Sequence, residues 1–288
     1  MTHPCIVIQS PTLTLSKMEQ IAAIAQANQL ILQGAHAGLL VDVDINSIEE
    51  VKLLAKVSKA DFAFFPQSLA NWSDIKVLAM DMDSTLINIE CIDEIAAIAG
   101  RKAQVATITE AAMRGEITDF AESLRRRVAM LEGVPASALE KVYQEKLFLN
   151  PGAEYLLQKA HEAGIKTLLV SGGFTFFTER LQARLGLSET HANTLEIDEK
   201  GLLTGRVLGP IIDAQAKAHY LEALAAKAGA SIQQCIAIGD GSNDLLMMEK
   251  AYYSVAYRAK PIVQDKARFS INHCGLDAVI NWFMPDEH

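Results

Sequence analysis

The sequence predicts an α/β protein with a doubly wound parallel sheet and an inserted helical segment, preceded by a small α+β unit. Three observations carry that expectation. After Ile75, short apolar runs such as VLAM (77–80), TLLV (167–170) and CIAI (235–238) alternate with longer helical patterns. From Ile92 to Asn150 the patterning is helix after helix with no strand, and the stretch from Pro4 to Gln67 follows a denser rhythm of strands and helices.

In that first stretch, Cys5 to Gln9 is a strand-like run, and Thr14 or Ser16 can cap a helix with Met18, Ile21, Ala22, Ile24 and Ala25 on one face. Two strands are expected around Leu30–Gln33 and Gly38–Ile45. A second helix follows Asn46 or Ser47 and carries Val51, Leu54, Ala55 and Val57. A last strand covers Asp61–Phe65. The order βαββαβ in about 65 residues is that of a ferredoxin-like sandwich, the shape used by small amino-acid-sensing (ACT-like) modules. Residues 1–70 are therefore expected to form a regulatory or dimerisation domain, with a homodimer as a candidate assembly. The boundary falls near Pro66–Ser73, where a proline and polar residues interrupt the pattern.

Residues 71–288 are expected to form the second domain. Its strands are Val77–Met80, Thr167–Val170, Cys235–Ile238, Ser254–Ala256 and Phe269–Ile271, with a hairpin at Thr194–Leu208 turning at Glu199, Lys200 and Gly201. Strands separated by helices imply a parallel sheet, and the helical block at about 92–150 is expected to be an inserted cap. Sites in such sheets lie beyond the carboxyl ends of the strands, so the residues after each run carry the functional reading.

Composition narrows the function classes. Lys and Arg total 26 against 35 Asp and Glu, a net charge of −9. That disfavours broad binding to nucleic acid or to an anionic membrane, both of which need a basic surface field. Half the residues are hydrophobic, as in ordinary globular chains, and no apolar run approaches the roughly 18 residues of a membrane span. Cys5, Cys91, Cys235 and Cys274 are scattered without a CxxC pair, and the N-terminus lacks a basic region followed by a long apolar stretch. Free thiols in a reducing, cytoplasmic setting are expected.

Three loops carry the candidate chemistry. The first strand runs into DMDSTLI, which sets Asp81 and Asp83 on a strand-to-loop transition, where residues two apart on extended chain point the same way. Two adjacent carboxylates repel unless a metal or a shared proton compensates; the alternative is an Asp-rich turn. The second strand leads into SGGF, where Ser171, Gly172 and Gly173 open a helix and can form an anion site, or a plain βα turn. The third leads into GDGSNDLLMM: Asp240 can complete an oxygen-only site for a hard cation, while Asn243 and Asp244 can cap the following helix. Lys217, ahead of the helix leading to this third strand, is by itself an ordinary solvated lysine.

The order DxD, SGG, Lys, GDGxND, with each loop motif directly after a predicted strand, resembles the haloacid dehalogenase superfamily from about Lys76 to the C-terminus. The blocks DMDSTLINIECIDEIAAIAG, SLRRRVAML, VSGGFTFF and IGDGSNDLLMM are similar to its phosphoserine-hydrolysing branch. That resemblance implies Mg²⁺-dependent hydrolysis of O-phospho-L-serine through an aspartyl phosphate, the last step of L-serine biosynthesis. It implies Asp81 as nucleophile and Asp83 as general acid and base. Mg²⁺ would be held by Asp81, the main-chain carbonyl of Asp83, and Asp240. Ser171, Gly172 and Lys217 would bind the phosphoryl group, with Asn243 and Asp244 in support. Glu90 would take the substrate ammonium and Arg127 its carboxylate, a pairing suited to the planar guanidinium. Among the three adjacent arginines, Arg127 lies closest to the Leu124, Val128, Leu131 stripe. Met113 and Phe120 resemble residues that close over the substrate, at a spacing one residue longer than the family pattern.

Overall fold

A computed structural model describes residues 3–113 and 116–284, with no side-chain description at 112–113. The first sheet is built from β1 (Cys5–Gln9), α1 (Leu15–Ile24), β2 (Gln29–Leu32), β3 (Ala37–Val41), α2 (Ile48–Val57) and β4 (Asp61–Phe65). Its antiparallel order β2-β3-β1-β4 is the ferredoxin-like one expected from the βαββαβ rhythm. Thr14 caps α1 by accepting from the Lys17 N–H. The run expected to extend from Gly38 to Ile45 stops at Val41, because Asp42 turns into the left-handed region at φ 57°. Every residue of β1 is buried, since both faces are covered. Ile6 and Ile8 pack with Met18, Ile21 and Val51, whereas Cys5 and Val7 belong to the same hydrophobic core as Phe269 and Trp282 far along the chain.

The second sheet takes the remaining strands. The chain continues through β5 (Val77–Met80), α3 (Cys91–Ile98), α4 (Lys102–Met113), α5 (Phe120–Ala129), α6 (Ser137–Glu145), α7 (Ala153–Glu162), β6 (Lys166–Phe174) and α8 (Thr175–Leu185). It then forms β7 (Glu189–Ile197), β8 (Leu203–Leu208), α9 (Ala214–Lys227), β9 (Cys235–Gly239), α10 (Leu245–Met248), β10 (Tyr253–Tyr257), α11 (Pro261–Lys266) and β11 (Phe269–Ile271). The strand order is β11-β10-β9-β5-β6-β7-β8, parallel throughout except for the β7–β8 hairpin. The central strand β5 is fully buried on both faces, which is why VLAM reads as continuous apolar text without alternation. Because β6 and β9 flank β5 on opposite sides, the chain direction switches at β5, and a crevice opens beyond the carboxyl ends of these three strands. The helices α3 to α7 fill the interval between β5 and β6, and residues of α3, α4 and α5 line that crevice.

One local expectation changes. Ser171, Gly172 and Gly173 do not open a helix: β6 runs on through them to Phe174, and α8 begins at Thr175. The pairing with β7 persists across a register shift after Val170, where Asn193 Nδ2 donates to the Gly172 carbonyl at 2.8 Å. This segment therefore presents a strand end, rather than a helix terminus, to the crevice.

Candidate active site

Asp81 follows β5 immediately and is 5% exposed. The next residues form a single wide turn in which Leu86 N–H donates to the Asp81 carbonyl and Ile87 N–H to that of Met82. Ser84 takes φ 56° to close it, and its hydroxyl donates to Glu90 at 2.7 Å. Asn150, buried behind the turn, donates through Nδ2 to the carbonyls of Thr85 (2.8 Å) and Ile87 (3.0 Å). Sequence reasoning passed over Asn150, because nothing local marks a residue whose partners lie more than sixty positions away.

The turn aims Asp81 and Asp83 into different surroundings. Asp83 Oδ1 accepts from the Cys91 N–H at 3.1 Å, and its other oxygen lies where a Cβ on Gly173 would come within 2.7 Å. Only glycine permits that approach. Burial and the neighbouring Glu90 push the Asp83 carboxyl up to about 7, so it is partly protonated near neutral pH.

Behind Asp81 sits Lys217, in the first turn of α9 and not ahead of a helix. It is wholly buried, the opposite of a solvated lysine. Its ammonium donates to Asp81 Oδ1 and to Asp244 Oδ1, each at 2.7 Å. Burial opposes its charge, but Asp244 and Asp81 outweigh that effect and raise its pKa. Asp244 also accepts from the Gly241 N–H at 3.0 Å, so it holds the lysine and the loop together. Asp240 receives the Thr85 hydroxyl at 3.3 Å.

Oxygens of Asp81, Asp240 and Asp244 lie within 4.8 Å of one another. Three carboxylates against one lysine leave an excess of negative charge in a poorly solvated place. Asp81 accordingly lies well above the usual carboxylate range, through burial and the proximity of Asp244 and Asp240. Asp240 is pushed up to about 7 by burial, with Asp244 adding to the effect. The cluster is short of a cation, and all-oxygen donors fit a hard divalent one.

A cavity of about 520 Å³ opens over this cluster. Asp81, Asp83, Ser171, Gly172, Asp240 and Asn243 line one end; Glu90, Phe120 and Arg127 line the cap side. Ser171 is 1% exposed and accepts from the Gly173 N–H at 2.8 Å. Phe120 lies so close over Gly172 that a Cβ there would meet its ring tip at 2.8 Å. On α5, Leu124 and Val128 are buried while Arg127 faces Glu90, Asp93 and Asp83, whose charges partly offset the lowering that burial imposes on its pKa. Arg126 pairs instead with Glu122 on the exposed side. The Met113 side chain lies outside the described residues. Asp93 and Lys260 are among the lining residues that escaped the sequence reading. Asp93 lies in the first turn of α3, three positions beyond Glu90, which caps that helix. Lys260 follows β10, and the rule that sites lie after strand ends could have found it.

Comparison with known proteins agrees with this geometry. The model of the haloacid dehalogenase-like hydrolase family matches residues 78–249. A phosphoserine phosphatase from Polaromonas sp. is 55% identical over 212 residues, covering 72% of this chain and 89% of that protein. The crystal structure of a probable phosphoserine phosphatase from Vibrio cholerae, in unliganded form, superposes with a TM-score of 0.82 at 35% identity, over 97% of this chain and 85% of that one. A HAD family hydrolase from Salmonella enterica serovar Typhi gives 0.88 at 31% identity over the whole of both chains. With the strand-end carboxylates, the buried lysine and the family model falling on the same stretch of sequence, the chain belongs to the haloacid dehalogenase-like hydrolases.

Proposed function

We propose that the protein is a phosphoserine phosphatase, which hydrolyses O-phospho-L-serine to L-serine and phosphate, the closing step of L-serine biosynthesis. The observation that carries this reading is that one cavity joins the paired Asp81 and Asp83 to Glu90 and Arg127, a negative and a positive group suited to the two charges of an amino acid.

In this reading an Asp81 oxygen attacks phosphorus, forming an aspartyl phosphate, and the P–O bond to serine breaks. Asp83, carried near neutrality by its burial, gives its proton to the departing serine oxygen. Water then attacks the same phosphorus, Asp83 takes back a proton, and the acyl phosphate is cleaved to inorganic phosphate. Ser171 and Gly172 bind the phosphoryl oxygens, with Asn243 at the loop edge. Lys217 balances the charge of Asp81 from behind, and Asp244 fixes Lys217. Glu90 and Arg127 hold the substrate ammonium and carboxylate, and Phe120 shields the bond from solvent. Mg²⁺, held by Asp81, Asp240 and the main-chain carbonyl of Asp83, would supply charge neutralisation for the phosphoryl group.

Residues 1–70 serve in this reading as a regulatory or dimerisation domain and 71–288 as the phosphatase, with its cap at about 92–150. Among the described residues no helix is long and apolar enough to cross a membrane, and the four cysteines are unpaired, which supports placement in the cytoplasm. The test is a panel of phosphomonoesters assayed with Mg²⁺ and with EDTA, together with Asp81→Asn. Phosphoserine should lead the panel, EDTA should silence it, and Asp81→Asn should neither turn over nor trap phosphoenzyme. Full activity in that variant would overturn the mechanism.

A further inference from the structure

Asp61 is the first residue of β4 in the N-terminal sheet, does not line the cavity, and is only 4% exposed. Its carboxylate accepts from three consecutive main-chain N–H groups just beyond β11: Asn272 at 2.7 Å, His273 at 3.1 and 3.2 Å, and Cys274 at 2.9 Å. Three oriented N–H dipoles make a nest for a buried anion. Stacking of Phe65 on Phe269, with ring centroids 5.0 Å apart, packs the same two strands together.

The contacts continue toward the site. The Asn272 side chain donates to Gln264 Oε1 at 3.1 Å, and Gln264 Nε2 donates to the Ala259 carbonyl at 2.7 Å. The next residue, Lys260, donates its N–H to the Asp240 carbonyl at 3.3 Å and lines the cavity. From the other side Arg258, held at φ 46°, donates its N–H to the Ile271 carbonyl at 2.8 Å. The segment 258–260 is thus pinned from β11 and from α11 at once. The Lys260 charge acts on Asp240, the carboxylate at the end of β9.

We propose that Asp61 is a positioning residue for the catalytic site: through Asn272 and Gln264 it seats Lys260 as a cation for the phosphate group. The inference rests on the reading of the cavity as a phosphate site. It makes the N-terminal sheet part of the scaffold of that site, and it gives Lys260 a binding role beside Ser171 and Gly172.

The test is a thermodynamic cycle on the full-length protein, with inorganic phosphate as probe in titration calorimetry and with p-nitrophenyl phosphate for kinetics. Asp61→Asn and Gln264→Leu should each weaken phosphate binding and raise KM by about three- to tenfold with kcat nearly unchanged. In a Lys260→Met background the same substitutions should change phosphate affinity by less than about 1.5-fold, because coupled residues are not additive. Equal losses in both backgrounds, or unchanged phosphate affinity in the single variants, would overturn the proposal. Gln264→Leu decides the matter by itself if Asp61→Asn does not fold. Phosphate calorimetry needs no turnover, so a protein that binds phosphate but does not prefer phosphoserine would refute the substrate reading and leave this test intact.

Discussion

Replacing Lys217 by Met removes the ammonium that bridges the buried carboxylates of Asp81 and Asp244. In the native protein the ammonium lies 2.7 Å from an oxygen of Asp81 and 2.7 Å from one of Asp244, and all three residues are buried. At an effective dielectric constant of about 20, each contact corresponds to roughly 6 kcal/mol of attraction, most of it offset by the cost of taking the charges out of water. Breaking such a pair from one side strands the partner charges, and the expected destabilisation is about 3–5 kcal/mol. For a chain of 288 residues, whose unfolding entropy is about 0.6 kcal/mol/K, that lowers Tm by roughly 5–8 °C. Adding Asp244→Asn removes one stranded charge, so the double variant should regain about half of the lost stability or more. Activity should behave differently. Loss of a preorganised charge beside Asp81, the proposed nucleophile, should lower kcat by about 10²–10³, and Asp244→Asn should not restore it. Thermal melts in EDTA and steady-state turnover on the same three proteins separate the two effects. A Lys217→Met protein that melts within about 2 °C of the parent and turns over normally would refute the reasoning.

Arg127→Ala should reduce kcat/KM for phosphoserine by about 10- to 100-fold, the loss of a charge-assisted hydrogen-bonded fork. Hydrolysis of phosphoethanolamine, which lacks the carboxylate, should fall by less than about threefold; equal losses would make Arg127 structural. Gly172→Ala places a Cβ 2.8 Å from the Phe120 ring, and the displaced ring should raise KM by about tenfold. Combining it with Phe120→Leu should recover most of that loss, and failure to do so would show that the clash is not the cause. The metal-free protein should lose stability as pH rises from about 4 to about 7. Asp83 and Asp240 are both held near 7, so across that window the folded state carries protons the unfolded chain has released. Melts in EDTA from pH 4.5 to 8 should show that slope, flattening above about 7, and added Mg²⁺ should reduce it; a rising slope would contradict the assignment.

Much of the scaffold was legible locally. VLAM, CIAIG and FSI are strands, as expected of short, largely apolar runs followed by polar turn residues. Their alternation with helices specifies a parallel sheet, and the strand-end rule then singles out Asp81, Ser171 and Asp240. The Leu124, Val128 stripe likewise fixes which of three arginines turns inward. The βαββαβ rhythm predicted the first sheet for the same reason: periods of 2 and 3.6 are properties of the local chain.

What the local chain could not decide concerns partners far away. Lys217 reads as a surface residue of an alanine-rich helix, and only its two carboxylate neighbours, 136 and 27 positions distant, make it a buried cation. The glycines after Ser171 looked like a helix start, but β7 pairs with them and draws β6 onward. Asn150 behind the turn that follows Asp81 and Lys260 on the cavity wall owe their places to the same long-range closure, as does the grip of Asp61 on a loop more than two hundred residues on. Sequence alone determined which residues could carry charge and where strands would deliver them. Tertiary structure decided which of those charges lose water and face one another, because desolvation and pairing depend on distances that no local pattern encodes.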